Sequence, residues 1–279
     1  MKNKLILSCL CIIFANSYSQ TASLKMSKTI NPPIAKKISK TLEKHGDKRV
    51  DDYFWLNDRE NAEVIDYLNQ ENEYYEQMTA HTKDFQKKLF EEMKGRIKED
   101  DSSVPYFFNG YWYITRYETG KDYPIYSRKK GSLTANEEIL FNCNELAEGH
   151  SYFQLGGMSV SPDNKFASFA VDVIGRRIYT IQIKNLETGE IFEDKIENVT
   201  GSSTWANDNK TLFYTKQDKQ TLRSDKVFKH KLGENAENDA LVYHEKDDTF
   251  NIDVSKEKSR KYIVMTAATP LTTEFRTLL

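Results

Sequence analysis

A pattern of short strands that repeats along the chain is the feature that most constrains its fold. Residues 159–189 predict two strands, a turn and another strand, and the turn contains Asp163-Asn164-Lys165. The same theme returns from Ser203, where Asp208-Asn209-Lys210 occupies the corresponding turn, and a fainter copy begins near Val254. A period of about 40–50 residues with several short strands in each unit is typical of β-propeller blades. The repeat therefore predicts a propeller.

Strands are predicted all along the segment that follows residue 102, and over residues 111–116 and 123–128 aromatic residues alternate with polar ones. The predicted strands are 111–116, 123–128, 139–142, 152–160, 166–171, 178–183, 211–215, 227–231, 241–243, 250–254, 262–266 and 274–279. The segment 102–279 is long enough for three to four blades, and its last strand runs to Leu279. We therefore predict a mainly β fold, an incomplete β-propeller with an unfinished last blade.

Residues 21–101 predict a helical N-terminal arm ahead of the propeller. The first part is a polar linker or wrapped arm in which Pro32-Pro33 imposes an extended path. The charged and aromatic segment 45–56 must dock its rings on another surface. Asp58 is a plausible N-cap for a first amphipathic helix, and a second one ends near Arg96. The apolar residues that define the two helices are Val64, Leu68, Tyr75 and Met78 in the first and Phe85, Leu89, Met93 and Ile97 in the second.

The first twenty residues have the layout of a secretory signal peptide. Lys2 and Lys4 precede an apolar run over residues 5–15, and cleavage is expected near Ser19 or Gln20. This run is too short to serve as a permanent membrane span. We therefore predict a periplasmic or secreted protein. The one cysteine outside this segment, Cys143, follows an apolar strand and is predicted to be buried and structural.

Composition and motifs exclude several classes of function. The formal net charge of −2 indicates neither a nucleic-acid partner nor an anionic membrane. There is no G-x-S-x-G, H-E-x-x-H, G-x-x-x-x-G-K or G-x-G-x-x-G motif. The histidines 45, 81, 150, 230 and 244 are expected at the surface or in caps, and the acidic pairs 51–52, 100–101 and 247–248 and basic runs 128–130 and 176–177 in solvated turns. We predict no catalytic residue, no cofactor and no metal within these 279 residues.

A series of ordered motifs nevertheless resembles the prolyl oligopeptidase family of serine peptidases, and within it the oligopeptidase B (protease II) branch most closely. The motifs lie at residues 32–35, 45–58, 67–72, 90–105, 111–113, 120–126, 144–150, 161–164 with Asp172, and 273–276. Several such motifs in family order carry far more weight than any one of them alone. The resemblance extends from about Pro32 to the end of the chain.

The resemblance implies a seven-bladed propeller that covers an α/β-hydrolase domain and restricts its substrates to short peptides, with the N-terminal arm packed against that domain. The oligopeptidase B branch cleaves after Arg or Lys, so short basic peptides would be the substrates of the complete protein. Its Ser-His-Asp triad and α/β-hydrolase domain are expected after Leu279, so this chain alone is predicted to be inactive. The alternative is a non-catalytic envelope propeller that binds a peptide or protein.

Overall fold

The computed structural model describes residues 30–278, so the predicted signal peptide, residues 1–20, and Leu279 lie outside the described part. The chain divides into two compact units, one that ends at Ile97 and one that begins at Lys98. No helix in the described part is both long and apolar enough to cross a membrane.

The N-terminal unit begins with a β-hairpin that the sequence pattern did not predict. Strands β1 (Lys40–Lys44) and β2 (Asp47–Asp51) pair antiparallel through the two-residue turn His45-Gly46. Both turn residues have positive φ, 54° and 83°, which matches the twist of a tight hairpin. Most side chains of these two strands are charged, so the sequence lacks the alternation of apolar and polar residues that would predict a strand.

Two helices follow, α1 (Ala62–Thr79) and α2 (Lys83–Lys94), and short 3-10 turns precede each of them. The predicted N-cap at Asp58 is wrong, because the Asn61 side chain accepts a hydrogen bond from Glu63 N and thereby caps the helix. The end of α2 at Lys94, with Gly95 as its C-cap, lies close to the predicted end.

The aromatic segment after β2 docks within this unit. The indole N–H of Trp55 donates to the Lys36 carbonyl oxygen at 2.9 Å, and its ring lies 6.5 Å from the Tyr67 ring on α1. The Lys40 ammonium sits 3.6 Å from the centre of the Phe54 ring, a cation–π contact. These contacts hold the extended segment 30–39 and α1 together.

The unit that begins at Lys98 consists of antiparallel sheets. The first sheet contains β3 (Tyr106–Phe108), β4 (Tyr111–Arg116), β5 (Ile125–Lys130) and β6 (Glu137–Asn142), followed by a short helix, α3 (Cys143–Leu146). The second contains β7 (Gln154–Val160), β8 (Phe166–Asp172), β9 (Tyr179–Asn185), β10 (Ile191–Trp205), β11 (Thr211–Gln217), β12 (Ser224–Lys231) and β13 (Ala240–His244). The third contains β14 (Asn251–Lys256), β15 (Ile263–Ala268) and β16 (Thr273–Leu278).

Strand β10 belongs to two consecutive four-stranded units. Its first part pairs with β9 and its last part pairs with β11, and the register breaks between Val199 and Ser203. Gly201, at the break, has φ +92°, which favours glycine, and a Cβ there would lie only 3.1 Å from the Tyr179 ring. The sheets therefore form three four-stranded units and one of three strands.

Apolar clusters fill the space between successive units. Phe141 of the first sheet packs against Phe169 of the second, with ring centres 4.7 Å apart. Further along, buried Trp205 and Tyr214 belong to the largest cluster. The last cluster joins β11 and β12 to β14 and β15. The prediction of a mainly β fold with propeller-like sheets is confirmed.

Candidate functional site

Four hairpin turns meet at one end of these sheets and form a closed circuit of hydrogen bonds. Each turn joins the first two strands of a unit and contains one non-glycine residue with positive φ: Asn109 (49°), Asn164 (66°), Asn209 (60°) and Arg260 (63°). Asparagine adopts this conformation more readily than most residues, which explains the repeated Asp-Asn-Lys motif. The motif's aspartates, Asp163 and Asp208, accept hydrogen bonds from the backbone N–H two residues further on.

The circuit runs through side-chain contacts between neighbouring turns. Asn109 Nδ2 donates to the Pro162 carbonyl oxygen at 2.8 Å, and Asp163 N donates to Asn209 Oδ1 at 2.9 Å. Asn207 Nδ2 donates to the Arg260 carbonyl oxygen, and Arg260 Nη1 donates to Asn109 Oδ1, each at 2.9 Å. The first unit is thereby connected to the fourth as well as to the second. We name these four turns the turn ring.

A cavity of about 530 Å³ lies beside the turn ring, and four aromatic side chains form one part of its lining, the aromatic wall. The Tyr106 and Tyr113 rings are stacked with centres 5.2 Å apart, and the Phe108 ring lies 6.5 Å from the Tyr113 ring. Trp205 completes this wall, and its indole N–H donates to the Ser159 carbonyl oxygen at 2.9 Å. The cavity is therefore formed by strands from several units rather than by a single sheet.

The charged side chains that line the cavity are mostly cationic. Lys256, Lys258 and Arg260 line it with a single acid, Glu257. The Glu257 carboxylate already accepts hydrogen bonds from the Ser259 hydroxyl and from Tyr262 N.

Two of these cationic side chains, Arg260 and Lys256, are held in place by neighbouring polar and aromatic groups. Arg260 stacks over the Phe108 ring at 4.4 Å, and Lys256 Nζ donates to Asn207 Oδ1 at 2.8 Å. Partial burial, with the nearby Arg260 charge, lowers the pKa of Lys256.

One residue of the cavity wall has a buried hydroxyl group. Tyr113 is only 5% exposed, and within residues 30–278 its hydroxyl makes no hydrogen bond of good geometry, although the Arg128 guanidinium lies near it. Burial raises the pKa of Tyr113, and the nearby Arg128 guanidinium opposes that shift. The oxygen atom is itself enclosed, so the ring and not the hydroxyl is presented to the cavity.

The prediction that residues 128–130 form a solvated turn is wrong for Arg128. This residue lies in β5 and is 3% exposed, because the neighbouring unit covers it. Its Nε donates to Glu138 Oε2 at 2.8 Å, its Nη2 donates to the Asn164 carbonyl oxygen at 3.2 Å, and it stacks over Tyr111 at 4.0 Å. Among the residues that the structure describes, Nη1 of Arg128 and Oδ1 of Asn164 find no hydrogen-bond partner, although both atoms are buried.

Comparison with known proteins identifies the family to which this arrangement belongs. The profile described as the prolyl oligopeptidase N-terminal beta-propeller domain matches residues 32–278. The chain belongs to the prolyl oligopeptidase family.

Three relatives illustrate this membership. Dipeptidyl aminopeptidase BI of Pseudoxanthomonas mexicana is 40% identical over 273 residues, which cover 92% of this chain and 38% of that protein. Protease 2 of Moraxella lacunata is 36% identical over 249 residues, 87% of this chain and 36% of that protein. The solved structure of oligopeptidase B from Leishmania major, at 30% identity and a TM-score of 0.82, matches 90% of this chain and 38% of that chain. The chain thus spans less than two fifths of these relatives' length and corresponds to their N-terminal propeller part.

One histidine of this prolyl oligopeptidase family chain contacts carboxylates, as a catalytic histidine does. His230 is fully buried, with Nε2 3.0 Å from Asp194 Oδ2 and Nδ1 2.8 Å from Asp239 Oδ1. The expectation that every histidine lies at the surface or in a cap is therefore wrong for this residue. The Tyr214 hydroxyl and Gly233 N donate to the same two carboxylates.

The His230 contacts indicate a structural role. A general base needs one ring nitrogen free to accept a proton from the nucleophile, and here both nitrogens face carboxylates. The imidazole joins β12 to β10 and to the loop before β13. Sequence reasoning missed this pairing because Asp194 and Asp239 lie 36 and 9 positions from His230, and only the packed sheets bring both carboxylates to its ring.

Cys143 is also unsuited to nucleophilic chemistry. It is 1% exposed at the start of α3, and burial raises the pKa of its thiol to about 11. The prediction of a buried structural cysteine is confirmed. Within residues 30–278, no group of three His, Cys, Asp or Glu side chains is arranged to hold a metal ion. The triad expected after Leu279 stays a prediction.

Proposed function

We propose that this chain is the N-terminal propeller part of an exported, oligopeptidase B-like serine peptidase that hydrolyses short peptides after Arg or Lys. The observation that carries the proposal is the family match over residues 32–278. It is supported by identities of 36–40% to two peptidases over most of this chain.

In this proposal the propeller part selects substrates by size. A cavity of about 530 Å³ has the volume of a small-ligand site and accommodates a few residues of an extended peptide. A folded domain of about 100 residues has a radius of gyration of about 13 Å and cannot enter a space of that size. The turn ring supports this role, because its hydrogen bonds resist widening of the cavity.

The bond-breaking chemistry is assigned to residues after Leu279. A serine hydroxyl would attack the peptide carbonyl carbon, a histidine oriented by an aspartate would take its proton, and backbone donors would stabilise the oxyanion. The acidic groups that receive an Arg or Lys side chain also belong to that part in this proposal. The mostly cationic lining of the cavity would repel such a side chain.

The decisive experiment compares the protein encoded by the complete reading frame with the 279-residue chain. We expect the complete protein to cleave short, N-terminally blocked fluorogenic peptides that end in Arg or Lys, and the 279-residue chain to cleave none. A complete reading frame that encodes no G-x-S-x-G region, or hydrolysis by the 279-residue chain alone, would contradict the proposal.

A second candidate activity is the release of dipeptides from a free N-terminus. The name of the relative from Pseudoxanthomonas mexicana, at 40% identity, supports it. Blocked and unblocked versions of the same peptide separate the two activities, because a dipeptidyl peptidase requires the free amine. Cleavage of only the unblocked peptide would favour dipeptide release.

The non-catalytic alternative, an envelope propeller that binds a peptide or protein, predicts peptide binding without hydrolysis by the complete protein. The proposed export is tested separately by N-terminal sequencing of the protein from periplasmic or culture fractions. We expect a mature N-terminus near Ser19 or Gln20. Recovery of the intact N-terminus from the cytosol would contradict export.

A further inference from the structure

We propose that the cavity beside the turn ring binds the C-terminal end of a short peptide, with its carboxylate on the cationic side chains and an apolar last side chain against the aromatic wall. This inference rests on the proposed function, since it takes peptides as the ligands. It specifies which end of the peptide binds in the cavity and which side chains contact that end, and the proposed function specifies neither.

The aromatic wall selects an apolar side chain. Tyr106, Phe108, Tyr113 and Trp205 line the cavity together with Met158 and Val160. Rings that are already packed against each other offer a rigid surface, and burial of an apolar side chain against it is favourable. A short peptide with Phe or Leu at its end supplies such a group.

The charges select a carboxylate. Three cations and one acid line the cavity, and the acid, Glu257, already accepts two hydrogen bonds. Lys258 is exposed and makes no hydrogen bond or ion pair within residues 30–278, so its ammonium is available. Arg260 uses Nη1 for Asn109 and retains further N–H donors on its guanidinium. An anion is favoured here, and a basic side chain is repelled.

The Tyr113 ring contributes an apolar face to this wall. Its hydroxyl is enclosed near the Arg128 guanidinium, so the ring rather than the hydroxyl is presented to a ligand. The ring is stacked on Tyr106, which keeps it in position.

The turn ring makes the site preorganised. Arg260 is fixed by its stacking on Phe108, its bond to Asn109 and the Asn207 contact to its carbonyl oxygen. Lys256 is fixed by Asn207 Oδ1. A cation that is already held in place loses less conformational freedom when a ligand binds.

The test is a titration of N-terminally fluorescein-labelled Ala-Ala-Phe, as the free acid and as the C-terminal amide, followed by anisotropy. It is performed on the 279-residue chain and on the protein from the complete reading frame, with the catalytic serine substituted in the latter. We expect the free acid to bind at least tenfold more tightly than the amide. An amidated peptide that ends in Glu distinguishes a side-chain carboxylate from a C-terminal one, and we expect it to bind as weakly as the amide.

Variants locate the site. Lys258→Glu should weaken binding of the free acid at least tenfold, and Lys219→Glu, an equal charge change at an exposed position on the β11–β12 turn, should weaken it less than twofold. Tyr113→Phe retains the ring and should change binding of the free acid less than twofold. Equal affinity for acid and amide, or equal effects of Lys258→Glu and Lys219→Glu, would overturn the proposal.

This test is separable from that of the proposed function, because it measures binding without hydrolysis. Selective binding of the free acid combined with an inactive complete protein would refute the peptidase and retain the site. An active peptidase that binds acid and amide equally would retain the proposed function and refute the site.

Discussion

The guanidinium of Arg260 donates to Oδ1 of Asn109 at 2.9 Å and thereby joins two turns that lie 151 positions apart in the chain. The same Asn109 side chain donates through Nδ2 to the Pro162 carbonyl oxygen. One small side chain with φ of 49° therefore connects the first, second and fourth units of the sheet assembly.

Asn109→Ala should destabilise the chain by about 3–4 kcal/mol. Two hydrogen bonds at about 1 kcal/mol each are lost, and alanine adds a cost of about 1–2 kcal/mol for left-handed backbone. Urea denaturation measures the change. Asn109→Gly loses the same bonds without the steric cost, so it should be the milder variant. Equal stability of Asn109→Gly and the unchanged chain would show that the turn ring contributes nothing.

His230→Leu should destabilise the chain by about 3–5 kcal/mol, because it leaves the buried Asp194 and Asp239 carboxylates without their shared partner. The matched control is His150→Leu, at an exposed position, which should change the free energy of unfolding by less than about 0.5 kcal/mol. Chemical denaturation at neutral pH compares the two. Similar values for both variants would refute the structural role of His230.

Asp208→Asn should reduce the loss of stability in acid. Burial acts to raise the Asp208 pKa, but hydrogen bonds from the Thr211 side chain and from the backbone of Lys210 and Thr211 lower it overall. A lowered folded-state pKa gives stability that is present above the unfolded pKa of about 4 and is lost as pH falls through the folded value.

The measurement for Asp208 is the urea midpoint from pH 7 to pH 2.5. The variant should be less stable than the unchanged chain at pH 7, and the difference should shrink below about pH 4. A difference that is constant over this range would exclude a contribution from ionised Asp208.

Cys143 should resist thiol reagents in the folded chain. Burial raises its pKa to about 11, so little thiolate exists at pH 8, and the sulfur is enclosed. A chain that begins at Thr21 contains no other cysteine, and its reaction with a disulfide reagent should require unfolding. The same reagent in urea provides the control. Rapid reaction in native buffer would contradict the buried position.

The local pattern accounts for the parts of the fold that depend on neighbours in sequence. The strand-like segments 166–171 and 211–215 predicted β8 and β11, and the Asp-Asn-Lys motif predicted the turns before them. The β1–β2 hairpin and most of β10 were missed. Residues 191–205 mix acids, lysine and glycine with apolar residues, and their extended conformation depends on pairing with β9 and β11.

Local sequence patterns did not predict most of the candidate site. The sequence shows Arg260 and Lys258 as part of a charged turn, and only the assembled sheets place them beside Tyr113 and Trp205. The neighbouring residues Lys129 and Lys130 predict a solvated position for Arg128. Its side chain is buried because another unit packs over it.

By itself, then, the sequence determined the propeller-like fold class and the family, because strand alternation, turn chemistry and ordered motifs are local properties of the chain. Only the tertiary structure decided which side chains share an environment: Arg260 with Asn109, His230 with Asp194 and Asp239, and the cations with the aromatic wall. The physical reason is that burial and hydrogen-bond partners are set by contacts between units, and those contacts join residues that are distant in the sequence.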